Sequence, residues 1–138
     1  MTLTLSQHGS FLDVIVTQTL TPDDVADLLR AIDAQRLRGP FVILTDTSGM
    51  KAAPRPVVML FVEGMKTRPP LRDIWLANAV VVNSPAARFV LSTLLMIAPM
   101  PTQVKAFDKR ADAETWLTDV LRQAQLKSAR NPAQQENP

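Results

Sequence analysis

The sequence has 138 residues, 46% hydrophobic and 20% charged, with 15 Lys and Arg against 13 Asp and Glu for a net charge of +2. That length suits one domain with a core of its own. With no cysteine, no tyrosine, 4 glycines and a single histidine, it excludes disulfides, thiolate metal sites, a cysteine nucleophile, a histidine-rich metal site and a glycine-rich phosphate loop.

Thr2 to Ser6 alternates polar and apolar residues, as a half-buried strand does. Gln7-His8-Gly9-Ser10 reads as a turn, with Gly9 free to take positive φ. Phe11 to Gln18 is a second strand, with Leu12, Val14 and Val16 on one face and Phe11, Asp13, Ile15 and Thr17 on the other. The two strands are expected to form a hairpin. Thr21-Pro22-Asp23-Asp24 starts a helix: a hydroxyl cap, a proline at the first helical position, and two acids at the positive end of the dipole. Val25, Leu28, Leu29 and Ile32 then form one apolar stripe, and Gly39-Pro40 ends the element.

Phe41 to Leu44 is a continuous apolar run, the pattern of a strand buried on both faces. Thr45 to Pro56 reads as a loop, and Pro56 opens a second helix through about Met65, which Pro69-Pro70 cannot continue. Ile74 to Val82 is a strand. Ser84-Pro85 starts a third helix that ends near Ala98, before Pro99 and Pro101. Gln103 to Phe107 is the last strand, and Asp108 to about Leu126 the last helix. Residues 1–126 are thus one domain, and the polar segment Lys127 to Pro138 is a disordered tail. Strands alternating with helices after a hairpin imply an α/β fold, with a mostly parallel sheet of five strands and four helices.

This order and several strings resemble the STAS superfamily, in its SpoIIAA-like (STAS/SEC14-like) bacterial branch. The strings are Leu20-Thr21-Pro22-Asp23-Asp24, Val42 to Gly49, Ala79-Val80-Val81-Val82, Val104 to Asp108 and Ala113 to Leu117. The resemblance implies a small regulatory or binding domain rather than a catalyst. Anti-anti-sigma members carry a phosphorylatable serine at the start of the second helix. Here that place falls near Ala52-Ala53-Pro54-Arg55, which has no hydroxyl. Asp46-Thr47-Ser48-Gly49 better matches the turn that precedes the phosphorylation motif.

Asp46, Thr47 and Ser48 have two readings. Such residues bond their own backbone in turns. They also follow the carboxyl end of a central strand, where open α/β sheets bind ligands, so they are the candidate ligand or switch loop. His8 reads as a solvated turn residue. Among the carboxylates, Asp23, Asp24, Asp27, Asp33, Asp108, Asp112, Glu114 and Asp119 sit on and around helices. They give no acid–base pair in a cleft. No catalytic, cofactor or metal residue is assigned.

The second helix is the most informative stretch: every residue from Pro56 to Val62 is nonpolar, more than one packed face needs. The third, with Phe89, Val90, Leu91, Leu94, Leu95, Met96 and Ile97, behaves likewise. Val57, Leu60, Phe61 and Gly64 share one face and are expected to pack on the sheet. Met59, Val62, Met65, Lys66 and Phe89 are the expected partner-binding residues. Lys51, Arg55, Lys66, Arg68 and Arg72 bracket the second helix, as solvated charges or as a rim for an anionic partner.

The expected function is non-enzymatic: a regulatory or scaffolding domain acting through protein–protein contacts by an apolar surface on the second and third helices, with a homodimer as one form. The alternative is a binding module for an apolar or amphipathic small molecule or lipid. Nucleic acid is not an expected partner, because a dense cationic stripe with stacking aromatics is missing. The N-terminus lacks the basic and apolar regions of a signal peptide, and Phe89 to Met100 is too short to span a bilayer. A cytoplasmic location is therefore expected.

Overall fold

The computed structural model describes residues 3–71, 73–97 and 102–130. In chain order these form β1 (Leu3–His8), β2 (Phe11–Thr19), α1 (Pro22–Arg38), β3 (Phe41–Ala52), α2 (Arg55–Lys66), β4 (Trp75–Val81), α3 (Pro85–Ile97), β5 (Gln103–Phe107) and α4 (Arg110–Arg130). The 5 strands make one sheet in the order β1-β2-β3-β4-β5. β1 and β2 are antiparallel, and every later neighbour pair is parallel. The fold class expected from the alternation of elements is the one observed.

Local chemistry accounts for the element ends. His8 pairs with Phe11, leaving Gly9-Ser10 as the hairpin loop, and Gly9 has φ +62°, the left-handed backbone that two-residue hairpins require. Thr21 caps α1 by accepting from Asp24 N (3.2 Å), while Asp24 Oδ2 accepts from Thr21 N (2.8 Å). Both amides lack helical partners, so the reciprocal pair satisfies two orphan donors. At the other end Gly39, with φ 120°, turns the chain into β3.

The sheet has a covered layer on each side. Leu12, Val14, Val16, Phe41, Ile43 and Trp75 pack with Leu3, Ile32 and Leu71 on one side. Val42, Leu44, Ala77, Ala79 and Val81 pack with Ala113 and Leu117 of α4 on the other. β3 lies between them, and Phe41 through Leu44 are all buried, as an uninterrupted apolar run dictates. α2 joins α1 through Val57, Val25 and Leu29. α3 meets Val80 and Val82 of the sheet region through Ala87 and Leu91.

Two boundaries and one strand register differ from expectation. The loop expected from Thr45 begins only after Ala52, because residues of turn composition pair with β2 as far as Thr19↔Ala52. Neighbouring backbone supplies hydrogen bonds that local preference does not foresee. The extension is irregular, with register shifts between Ile15 and Thr17 and between Gln18 and Thr19. In β4, Phe41 pairs with Trp75 but Val42 with Ala77, so Leu76 is an extra residue. This bulge reverses the alternation and brings Trp75 and Asn78 to the same side of the sheet. Finally, α4 runs to Arg130, past the boundary expected at Leu126. The rest of the expected tail, 131–138, lies outside the described residues.

Candidate functional site

The carboxyl half of β3 does not hold Asp46, Thr47 and Ser48 as one convergent loop. All three lie in the strand, and successive side chains of a strand point to opposite faces. Thr47 is buried on the helix α1–α3 side, and its hydroxyl donates to Val81 O at 2.6 Å. Asp46 points to the α4 side, where its Oδ2 accepts from Arg110 Nη1 at 3.3 Å. Its Oδ1 accepts from the Ser48 amide (3.0 Å) and the Ser48 hydroxyl (2.5 Å). Ser48 itself is exposed. The turn-like bonding expected of Asp46 and Ser48 is present, inside a strand.

Arg110 organises this end of the molecule. It stands in the first turn of α4, and its guanidinium reaches Asp13 on β2 as well as Asp46 on β3, with Nε donating to Glu114 at 2.9 Å. Burial disfavours the charged form of Asp46. The hydrogen bonds from Ser48 and Arg110 outweigh it and hold the carboxyl below its ordinary pKa. The Arg110 guanidinium is raised, first by its hydrogen bond to Asp13, against desolvation, with Asp46 and Glu114 adding to it. The cluster is a fixed ionic clasp between α4 and two strands. Sequence reading missed it because Arg110 and Asp13 meet only through the fold. The one local signal was an acid, Asp13, in the middle of a strand.

The second helix is less free than its composition implies. Val62, expected at an interface, is 2% exposed and belongs to the interior. Met59 and Met65 are half-buried, and Met65 packs with α1. Leu60, expected in the core, is 47% exposed. α2 touches α1 on one side and the sheet layer on another, so two stripes of its surface are internal and the apolar excess is largely absorbed. Arg68 locks this packing: Nε and Nη2 donate to the two Asp33 oxygens at 2.8 and 3.0 Å, and Nη1 donates to Gly64 O at 2.7 Å. Of the expected cationic rim, Lys51, Arg55 and Lys66 are exposed, Arg68 is engaged, and Arg72 lies outside the described residues.

α3 turns three of its described apolar side chains outward. Phe89 is 73% and Met96 86% exposed, and Leu95 is exposed as well. Positions 89 and 96 are two turns apart on one helix face, so these side chains, with Ser92 exposed between them, define an outward strip of α3.

Between the sheet and helices α1–α3 lies a cavity of about 140 Å³. Val14 and Ile43 of the sheet, Ile32 of α1, Phe61 of α2 and Leu91 of α3 are among its walls. Among the described residues its polar groups are Thr45, Thr47, Asn78 and Trp75, and no charged side chain lines it. Thr45 Oγ1 donates to Asn78 Oδ1 at 3.1 Å. Trp75 stacks on Phe41, with ring centroids 6.2 Å apart and planes 12° from parallel. Its Nε1–H is buried with no hydrogen-bond partner among the described residues.

Among the described residues no group of three His, Cys, Asp or Glu side chains is placed to hold a metal ion, and no helix is long and apolar enough to cross a membrane. No protein-family model matches the sequence, and no curated protein matches it significantly. Solved structures do share its architecture. An uncharacterised DUF3478-family protein from Shewanella loihica with a SpoIIAA-like fold aligns over 83% of this chain and 91% of its own, at TM-score 0.59 and 15% identity. The anti-sigma factor antagonist SpoIIAA in its unphosphorylated form aligns over 87% and 97%, at TM-score 0.57 and 14% identity. An anti-sigma factor antagonist from Mycobacterium paratuberculosis aligns over 85% and 93%, at TM-score 0.52 and 14% identity. The chain therefore has the SpoIIAA-like α/β fold, as the STAS resemblance implies.

Proposed function

We propose that this chain is a non-enzymatic regulatory or scaffolding domain of the bacterial cytoplasm that works by contact with another protein through the outward strip of α3. The observation that carries the reading is the exposure of Phe89 and Met96, 73% and 86%, on a single helix face. An exposed apolar patch of this kind marks an interaction surface. Two of the solved structures with this fold are anti-sigma factor antagonists, which supports a regulatory role. Of the residues expected at the interface, Phe89 remains its centre. Leu95 and Met96 join it, Lys66 stays as an exposed neighbour of the helical layer, and Met59 and Met65 contribute only their exposed edges.

A second copy of the chain is the first partner to test, by light scattering over a concentration series. The wild type should self-associate, and the double change Phe89→Glu with Met96→Glu should leave a folded monomer, because desolvating carboxylates at an interface costs several kcal/mol. Should the wild type stay monomeric, a photo-cross-linker at Phe89 in living cells should yield a protein adduct that the same cross-linker at Arg122 does not. A monomer giving no Phe89-specific adduct removes the reading.

A further inference from the structure

The floor of the cavity under α1–α3 holds a polar side chain whose hydrogen bonds are half made. Ala77, Ala79 and Val81 of β4 pack into the α4 layer, so strand alternation turns Asn78 to the opposite face, where it lines the cavity beside Thr45. Asn78 is 9% exposed. Its Oδ1 accepts from Thr45 Oγ1 at 3.1 Å, and its Nδ2 has no partner among the described residues. Nor is that atom sealed in protein: the fully covered, unpartnered side-chain atoms among the described residues belong to Asp13, Arg36, Trp75 and Thr102. β3 and β5 flank Asn78 within the sheet, so the surface that Nδ2 keeps opens onto the cavity. A nearly buried amide N–H without an acceptor is costly, and each such group in a native fold calls for a partner. Around this donor Val14, Ile32, Ile43 and Val80 supply apolar wall, and the half-buried Met50, Val58, Phe61 and Leu91 border the open side. The enclosed volume is about 140 Å³, close to the roughly 150 Å³ of an engineered cavity that takes benzene, and the open side leaves room for a longer chain to run out.

We propose that this cavity binds an amphipathic small molecule whose apolar body lies among these side chains and whose carbonyl-type acceptor takes the Asn78 Nδ2–H. The site is independent of the α3 partner strip: it lies beneath the helices, and its test reads Asn78 rather than association.

The test is titration of the full chain with cyclohexanone and with methylenecyclohexane, which has nearly the same shape and no acceptor, followed on the side-chain N–H signals of an isotope-labelled sample. The Asn78 amide is the reporter. The Trp116 indole, which packs with the α4 layer on the far side of the sheet, is the internal control. Both probes should move the Asn78 signal saturably and leave Trp116 in place, with cyclohexanone alone giving the downfield shift of a hydrogen-bonded N–H. The double change Thr45→Val with Asn78→Leu exchanges both polar partners for apolar groups of similar shape, which a fold tolerates better than the loss of one. In that variant, read on the backbone amide at position 78, the affinity for cyclohexanone relative to methylenecyclohexane should fall about twofold to tenfold, the worth of one net hydrogen bond. No saturable shift of Asn78 with either probe overturns the proposal, and a long-lived water at its N–H would then be what satisfies it. Equal shifts of Asn78 and Trp116 also overturn it, as nonspecific binding. A cyclohexanone shift that is not downfield, or an unchanged ratio in the double variant, removes the acceptor assignment. The wild-type shifts decide the matter even if the double variant does not fold.

Discussion

Removing the Arg110 guanidinium leaves Asp13 and Asp46 on adjacent strands with no cation between them. Both carboxylates are mostly buried, whereas Arg110 is 33% exposed. Arg110→Ala should therefore cost about 3 kcal/mol in urea unfolding at neutral pH, the low end for breaking a buried ion pair. Ser48→Ala, which removes one hydroxyl donor from Asp46, should cost about 1 kcal/mol. The pH dependence has a definite sign. The folded-state pKa of Asp46 is lowered, so its contribution is complete above the ordinary carboxylate range, about pH 4, and is lost as pH falls through the lowered value. The gap between wild type and Arg110→Ala should accordingly narrow in acid. A gap that does not change with pH would show that Arg110 acts through packing alone.

At the scale of the element, α2 shows how tertiary neighbours reassign a helix face. Val62→Glu places a carboxylate in the interior and should destabilise by several kcal/mol. Leu60→Ala, at a half-exposed position, should cost less than about 1 kcal/mol. A thermal or urea unfolding series on the two variants checks the order. Gly64 is a sharper probe of the α1–α2 contact. A methyl group there would fall on Leu29 Cδ1, and Leu29 is itself buried. Alanine is favoured over glycine in a helix by about 1 kcal/mol. Even so, Gly64→Ala should lower stability, because Leu29 must leave its rotamer in a packed layer at about 1–3 kcal/mol. A stabilised Gly64→Ala would mean that the helices are free to move apart.

For the whole molecule, the two-layer arrangement predicts a gradient of opening. Phe41 to Leu44 of β3 are covered on both faces, and both core layers depend on them. Their amides should exchange with solvent only on global unfolding. α3 is held among its described side chains by Ala87 and Leu91, over a cavity, with Phe89 and Met96 in solvent. Its amides should exchange through a local opening well below the global free energy, and an α3 partner should slow them. Native-state hydrogen exchange reads both. Equal protection of α3 and β3 would show a single cooperative unit.

Much of this was legible in the residues themselves. The hairpin, the capped start of α1 at Thr21, the alternation of Leu12, Val14 and Val16 against Asp13, and the fully apolar Phe41–Leu44 run all follow from periods and turn chemistry that act over a few residues. Together they imposed an alternating α/β fold, because each apolar stripe needs a covering layer. What the chain could not reveal locally depends on residues far apart in sequence. Whether α2 would bury one stripe or two was settled by α1 and the sheet, which made Val62 interior and Leu60 exposed. The Arg110 clasp brings together positions nearly a hundred residues apart. The bulge at Leu76 placed Trp75 beside the same cavity as Asn78, where strict alternation would have put them on opposite faces. Local periodicity selects elements, whereas burial, pairing register and charge neighbours are properties of the assembled layers, and only the tertiary structure decides them.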